Sequence, residues 1–134
     1  MRSQVIKTKS IRANTVYYLA SPYTSGTAYV KNLRYISVAM IAAHLATKGY
    51  IFFCPIIQSH WIAYYGEIGN TSWEYWQNFD TEMLTRCDAL LVATIPGWEK
   101  SIGVQAEIQI AKDLKKPIKY VDDDGHVTKE PHGY

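Results

Sequence analysis

Apolar positions in this chain fall into short dense runs separated by longer spaced series. Residues 15–20 (TVYYLA) are β-rich and almost wholly apolar, as expected of a parallel strand covered on both faces. Residues 88–94 (DALLVAT) repeat that signature, and residues 50–54 and 118–121 give two shorter versions of it. Between the first two runs, Val30, Leu33, Ile36 or Ser37, Met40, Ile41, His44 and Leu45 mark one broad helical face. They predict a helix over residues 29–48, stopped by Gly49. Thr71-x-x-Glu74 is a capping box that opens a helix to about Arg86. Ser101 caps a third helix to Lys116, whose basic end suits the helix dipole, and Pro117 stops it. Residues 56–69 have no clear period and read as a long active-site loop or a short irregular helix. A turn at Asp124-Gly125 precedes a possible edge strand over residues 126–128.

Strands and helices alternating at these lengths predict an α/β fold of three layers, flavodoxin- or Rossmann-like. Its sheet is mostly parallel, with four or five strands and helices on both faces. The 134 residues make one domain, with residues 1–13 expected as a flexible arm and 122–134 as a tail. Ligands of such sheets bind beyond the carboxyl ends of the strands, where the strand order reverses. That rule selects residues 21–26, 55–69 and 95–101.

Two carboxylates sit where apolar residues belong. Asp80 follows Trp76 by four residues and precedes Met83 by three, so it shares their helical face. Glu107 stands in the same relation to Val104 and Ala111. An acid on a packing face is costly unless paired or hydrogen-bonded. The structural alternative for Asp80 is a backbone partner or an arginine such as Arg34; for Glu107 it is a solvated face. Glu107, however, lies one turn past Gly97-Trp98-Glu99-Lys100-Ser101-Ile102-Gly103, a segment that offers an anion free N–H groups and a helix dipole. Two semi-buried carboxylates at one crevice suit glycosidic chemistry: one attacks or stabilises the sugar carbon, the other handles the proton of the leaving group.

Composition narrows the field. Hydrophobic residues at 48% and charged residues at 19% indicate a globular chain. A net charge of +2 argues against a nucleic acid polymer or an anionic membrane as main partner. Arg2, Lys7, Lys9 and Arg12 make only the arm basic. Cys54 and Cys87 lack CxxC spacing, the N-terminus is polar, and the longest apolar run is too short for a span, so a cytoplasmic protein with free thiols is expected. His44, His60, His126 and His132 lack metal-ligand spacing, and Asp122-Asp123-Asp124 reads as a solvated turn, so neither metal nor cofactor is expected. GxSxG, GxxxxGK[ST] and GxGxxG signatures are absent. Tyr23, Trp61, Tyr64, Tyr65 and Trp98 place aromatics in expected loops, which suits a planar ligand or a subunit interface as well as a thick aromatic core.

The set YLASPY (residues 18–23), Asp80, CDALLV (87–92) and GWEKSIGVQAE (97–107) resembles the nucleoside 2-deoxyribosyltransferase superfamily, over roughly residues 15–120. That group includes 2′-deoxynucleoside 5′-phosphate N-hydrolases, and the match resembles a branch of small bacterial and phage proteins. The resemblance implies Glu107 as nucleophile and Asp80 as the acid that assists it. It places Tyr18, Ser21 and Tyr23 in the pocket-lining first loop, and Ser101 where the hydrolases carry a phosphate-binding serine. Gly103 would let the helix start approach the ligand. Residues 21–26 lack the glycine-rich, arginine-bearing loop of the better-known hydrolases. The family also implies a homodimer or larger homo-oligomer.

The resulting expectation is hydrolysis or transfer at the N-glycosidic bond of a nucleotide or nucleoside. Trp98, Tyr23 and His60 would shape the pocket around base or sugar. A rival reading keeps the anion site of Ser101 and Gly103 in a non-catalytic nucleotide sensor, which would not need Glu107. A third makes the aromatic loops an oligomer interface and both acids ion-pair partners.

Overall fold

A computed structural model of the chain describes residues 14–131, so the expected arm, with its four basic residues, and His132 lie outside the described residues. The elements follow in the order β1 (Val16–Ala20), α1 (Ala28–Thr47), β2 (Ile51–Phe53), α2 (Pro55–Tyr65), α3 (Trp73–Arg86), β3 (Ala89–Ala93), α4 (Ile102–Asp113), β4 (Ile118–Val121) and β5 (Val127–Thr128). The sheet order is β2-β1-β3-β4-β5, parallel except for β5. This is the expected three-layer α/β architecture, Rossmann-like in outline.

The dense apolar runs are explained by two-sided burial. Tyr17 and Leu19 of β1 face a core completed by Val38, Ile41, Ala42 and Leu45 of α1. Tyr18 and Ala20 face a second core completed by Leu84 of α3 and by Val104, Ile108 and Ala111 of α4. Strands covered on both faces have no polar side to alternate with. The chain leaves β1 to one side for β2 and to the other for β3, so the strand order reverses between β1 and β3.

Local sequence sets most helix ends. Thr27 caps α1 through Val30 N–H, and Ser101 caps α4 through Val104 N–H at 3.2 Å. At α3 the cap is Ser72, whose Oγ accepts from Tyr75 N–H, rather than the Thr71 of the expected capping box; Thr71 is used by the first loop, where its carbonyl accepts from the Thr24 hydroxyl. Residues 55–65 form a helix, the second of the two expected alternatives, and a regular one. Its period is illegible because it buries only Pro55 while Trp61, Ile62, Tyr64 and Tyr65 face outward.

The face of α1 also differs from expectation. Val38, Ile41, Ala42 and Leu45 are buried, whereas Leu33, Ile36 and Met40 are exposed, leaving a second apolar stripe uncovered. Cys54 and Cys87 are buried free thiols, as their spacing suggested. No helix among the described residues is long and apolar enough to cross a membrane. Truncating Ile41 to Ala is expected to cost ~2–5 kcal/mol in denaturant unfolding. Met40→Ala, at a site 59% exposed, is expected to cost under ~1 kcal/mol. Equal losses would place the packing face elsewhere.

Candidate functional site

The carboxyl ends of β1, β2 and β3 open into a cavity of about 390 Å³. The first loop contributes Ser21, Tyr23 and Thr24, and α2 contributes Pro55, Ile56, Ser59 and Ala63. The segment after β3 supplies Gly97, Lys100, Ser101 and Gly103. Both carboxylates singled out by their spacing, Asp80 and Glu107, line this one space.

Glu107 is only 5% exposed. Its Oε2 accepts a hydrogen bond from the hydroxyl of Tyr18, which is wholly buried beneath it. Helix geometry makes this contact unavoidable. Val104, Ile108 and Ala111 seat α4 on the sheet, and Glu107, on the same stripe, must then point toward β1. Burial pushes the Glu107 carboxyl up to about 8, against the Tyr18 hydrogen bond, which favours the ionised form; the charge of Asp80 pushes it further up. Burial holds Asp80 up at about 7. Asp80 ionises first, so its repulsion falls on the later ionisation of Glu107. Burial and these two acids hold the Tyr18 phenol well above its usual range. It therefore stays a donor.

The apolar stripe of α3 divides in two. Met83 and Leu84 pack on the core, while Trp73 and Trp76 turn to the cavity, with Asp80 at the crossover. The alternative pairing of Asp80 with Arg34 is not formed: Arg34 donates instead to the Thr24 carbonyl at 2.6 Å. The fold thus gives Asp80 burial without a cation, which is why its carboxyl rises.

Other expected site residues divide between the wall and its support. Ser21, Tyr23, Ser101 and Gly103 line the cavity. Ser101 uses one lone pair to cap Val104 N–H, which leaves its O–H to donate. A Cβ on Gly103 would meet only Trp73, at 3.7 Å, so glycine there keeps the cavity open rather than avoiding a clash with the protein. Tyr18 supports Glu107 from below and does not line the wall. His60 stands one residue back. Its Nδ1 meets the Tyr23 hydroxyl at 2.8 Å and its ring stacks on Tyr35 at 3.8 Å.

Trp98 also stays off the wall. It opens a single 3-10 turn, Trp98–Lys100, and packs on the core shared by α3 and α4, 5.8 Å from the Tyr120 ring. Arg34, Lys100, Trp73 and Trp76 are lining residues that sequence reasoning missed as such. The two tryptophans carried a signal: they precede Asp80 on its own stripe.

Among the described residues, Asp122, Asp124 and His126 bring ligand-type atoms within 4.8 Å of one another. Asp122 Oδ1 accepts from the Asp124 and His126 N–H groups at 2.9 Å each, and Gly125 takes φ 80°, so these residues build the turn between β4 and β5.

A domain model of unknown function, DUF1937, matches residues 15–122, which span every cavity residue. The chain belongs to the DUF1937 family. The matched segment runs from the start of β1 to the end of β4, so it holds the four parallel strands and all four helices of the described residues, and leaves out β5. No curated protein matches the chain.

A folded carboxyl pKa above the usual value makes the fold most stable while the group is protonated. That advantage is complete below pH 4.5, the ordinary value, and is lost as pH rises toward about 8 for Glu107. Glu107→Gln keeps an acceptor for Tyr18 and removes the ionisation. It is expected to be more stable than wild type by ~2–4 kcal/mol at pH 8.5, with the gap nearly closed at pH 4.5, in urea unfolding at both pH values. A gap independent of pH would show that Glu107 ionises freely in the folded protein.

Proposed function

We propose that this DUF1937 domain cleaves the N-glycosidic bond of a nucleoside or nucleoside 5′-monophosphate, as its resemblance to the nucleoside 2-deoxyribosyltransferase superfamily implies. The observation that carries the reading is the pair of carboxylates, half-buried Asp80 and buried Glu107, lining one cavity at the strand ends. In the ionised form, Glu107 attacks the anomeric carbon as the bond from that carbon to the base nitrogen breaks. The bond's electron pair leaves with the base, which takes a proton from Asp80. A carboxyl held near 7 can be protonated at neutral pH and give that proton up. Water then attacks the anomeric carbon of the glycosyl ester, passes a proton to Asp80 and releases the Glu107 carboxylate; attack by a second base, with the same proton transfer, gives transfer instead. Tyr18 steadies the Glu107 carboxylate in each half-reaction, and Trp73 and Trp76 offer apolar surface to a planar base.

The test is release of free base, followed by chromatography, from a panel of deoxynucleosides and their 5′-monophosphates. Wild type is expected to release base. Glu107→Ala is expected to lose at least ~10³-fold in rate and Asp80→Asn ~10²–10⁴-fold, both with the fold intact. Binding without release by wild type supports the sensor instead. In the free protein the step needs Asp80 protonated as well as Glu107 ionised, so kcat/KM is expected to be bell-shaped in pH; because Asp80, held at about 7, ionises first, the falling limb at about 8 follows Glu107. Tyr18→Phe removes the bond that favours the carboxylate, so this limb is expected to move to higher pH. An unmoved limb would assign the titration to another group.

The same reading includes self-association. Tyr29, Leu33, Ile36 and Met40 form one exposed stripe on α1, beside the exposed Trp61 and Tyr65 of α2. Ile36→Glu is expected to convert a sedimenting homo-oligomer into a monomer; a wild-type monomer removes this part of the proposal.

A further inference from the structure

We propose that Arg34 and Lys100 form a two-cation clamp for a substrate 5′-phosphate, with Arg34 setting the preference for nucleotide over nucleoside. This rests on the glycosidic reading above and assigns to side chains what the first loop lacks, since residues 21–26 carry no arginine. Arg34 comes from α1, on the opposite side of the sheet from α4, yet its head reaches the cavity wall. Its Nη1 donates to the Thr24 carbonyl, which anchors the guanidinium to the first loop. Its Nη2 lies against Gly97, where a Cβ would come within 2.5 Å of it. Gly97 also takes φ 99°, a conformation that suits glycine. The guanidinium is thus wedged between two of the three loops that surround the cavity.

That wedge fixes the group and leaves it unspent. One hydrogen bond uses one of five N–H donors, and Arg34 has no carboxylate partner among the described residues. Lys100, at the end of the 3-10 turn, lines the same cavity, also without a carboxylate partner among the described residues. Gly97 and Ser101 line the same wall, the latter with an O–H to donate. A planar guanidinium grips a phosphate through paired N–H bonds, and an ammonium adds a point charge. Besides Asp80 and Glu107, which burial holds toward their neutral forms, Glu74 is the one acid on this wall, so two cations face it and the clamp keeps a positive balance.

The experiment compares affinities for the common 2′-deoxynucleoside 5′-monophosphates and the matching deoxynucleosides by calorimetry. It uses Glu107→Ala protein to prevent turnover, with circular dichroism to verify folding. Adding Arg34→Gln is expected to weaken monophosphate binding by ~10–100-fold and to change nucleoside binding by less than about twofold. Arg34→Lys should fall between, and Lys100→Gln should act in the same direction with a smaller effect. Equal weakening of both ligands, no weakening, or no binding of either ligand overturns the clamp. An Arg34-dependent preference without base release by wild type leaves the clamp standing and removes the catalytic reading. Release that requires Glu107 but ignores Arg34 does the reverse.

Discussion

The hydrogen bond from Tyr18 to Glu107 joins the middle of β1 to the second turn of α4, across 89 residues of sequence. Neither partner is tolerable alone. A wholly buried phenol needs an acceptor, and a carboxylate 5% exposed needs a donor. Their pairing settles how α4 lies on the sheet, and with it where Ser101 and Gly103 open the helix. It also leaves one carboxylate oxygen for the cavity.

The cavity depends on a division of labour between the two faces of the sheet. On one face α3 and α4 supply acids and aromatic wall; on the other α1 and α2 supply cover and a cation. Only loops beyond the strand ends reach both sets, and the reversal of strand order between β1 and β3 separates neighbouring loops enough to leave room. The cost of this arrangement is full burial of one carboxyl and partial burial of the other, with no ion pair to either among the described residues. Burial therefore lifts both toward neutrality, a stability cost that grows with pH and sits where chemistry would use it.

Support behind the wall is as ordered as the wall. His60 is hydrogen-bonded to Tyr23 and stacks on Tyr35, whose hydroxyl accepts from Trp61 Nε1 at 2.8 Å. Trp98 holds the turn before α4 from the core side. These residues resemble pocket residues in sequence because both roles call for an aromatic at a loop or helix start.

The sequence by itself determined the strands, the helix cap at Ser101, the α/β class and the two misplaced acids, because these are local. Period, capping chemistry and a carboxylate on an apolar stripe are each visible within one or two turns of chain. It did not determine which of two apolar stripes on α1 packs, since Ile36 and Met40 are as hydrophobic as Val38 and Ile41. It left the segment after β2 open between a loop and a short helix, because that helix fully buries only Pro55 and turns Trp61, Ile62, Tyr64 and Tyr65 outward. Nor could it send Trp98 to the core, bring Tyr18 under Glu107, or carry Arg34 from α1 to Gly97. Those placements come from contacts between elements far apart in sequence, where geometry across the sheet decides which of several chemically suitable side chains meet.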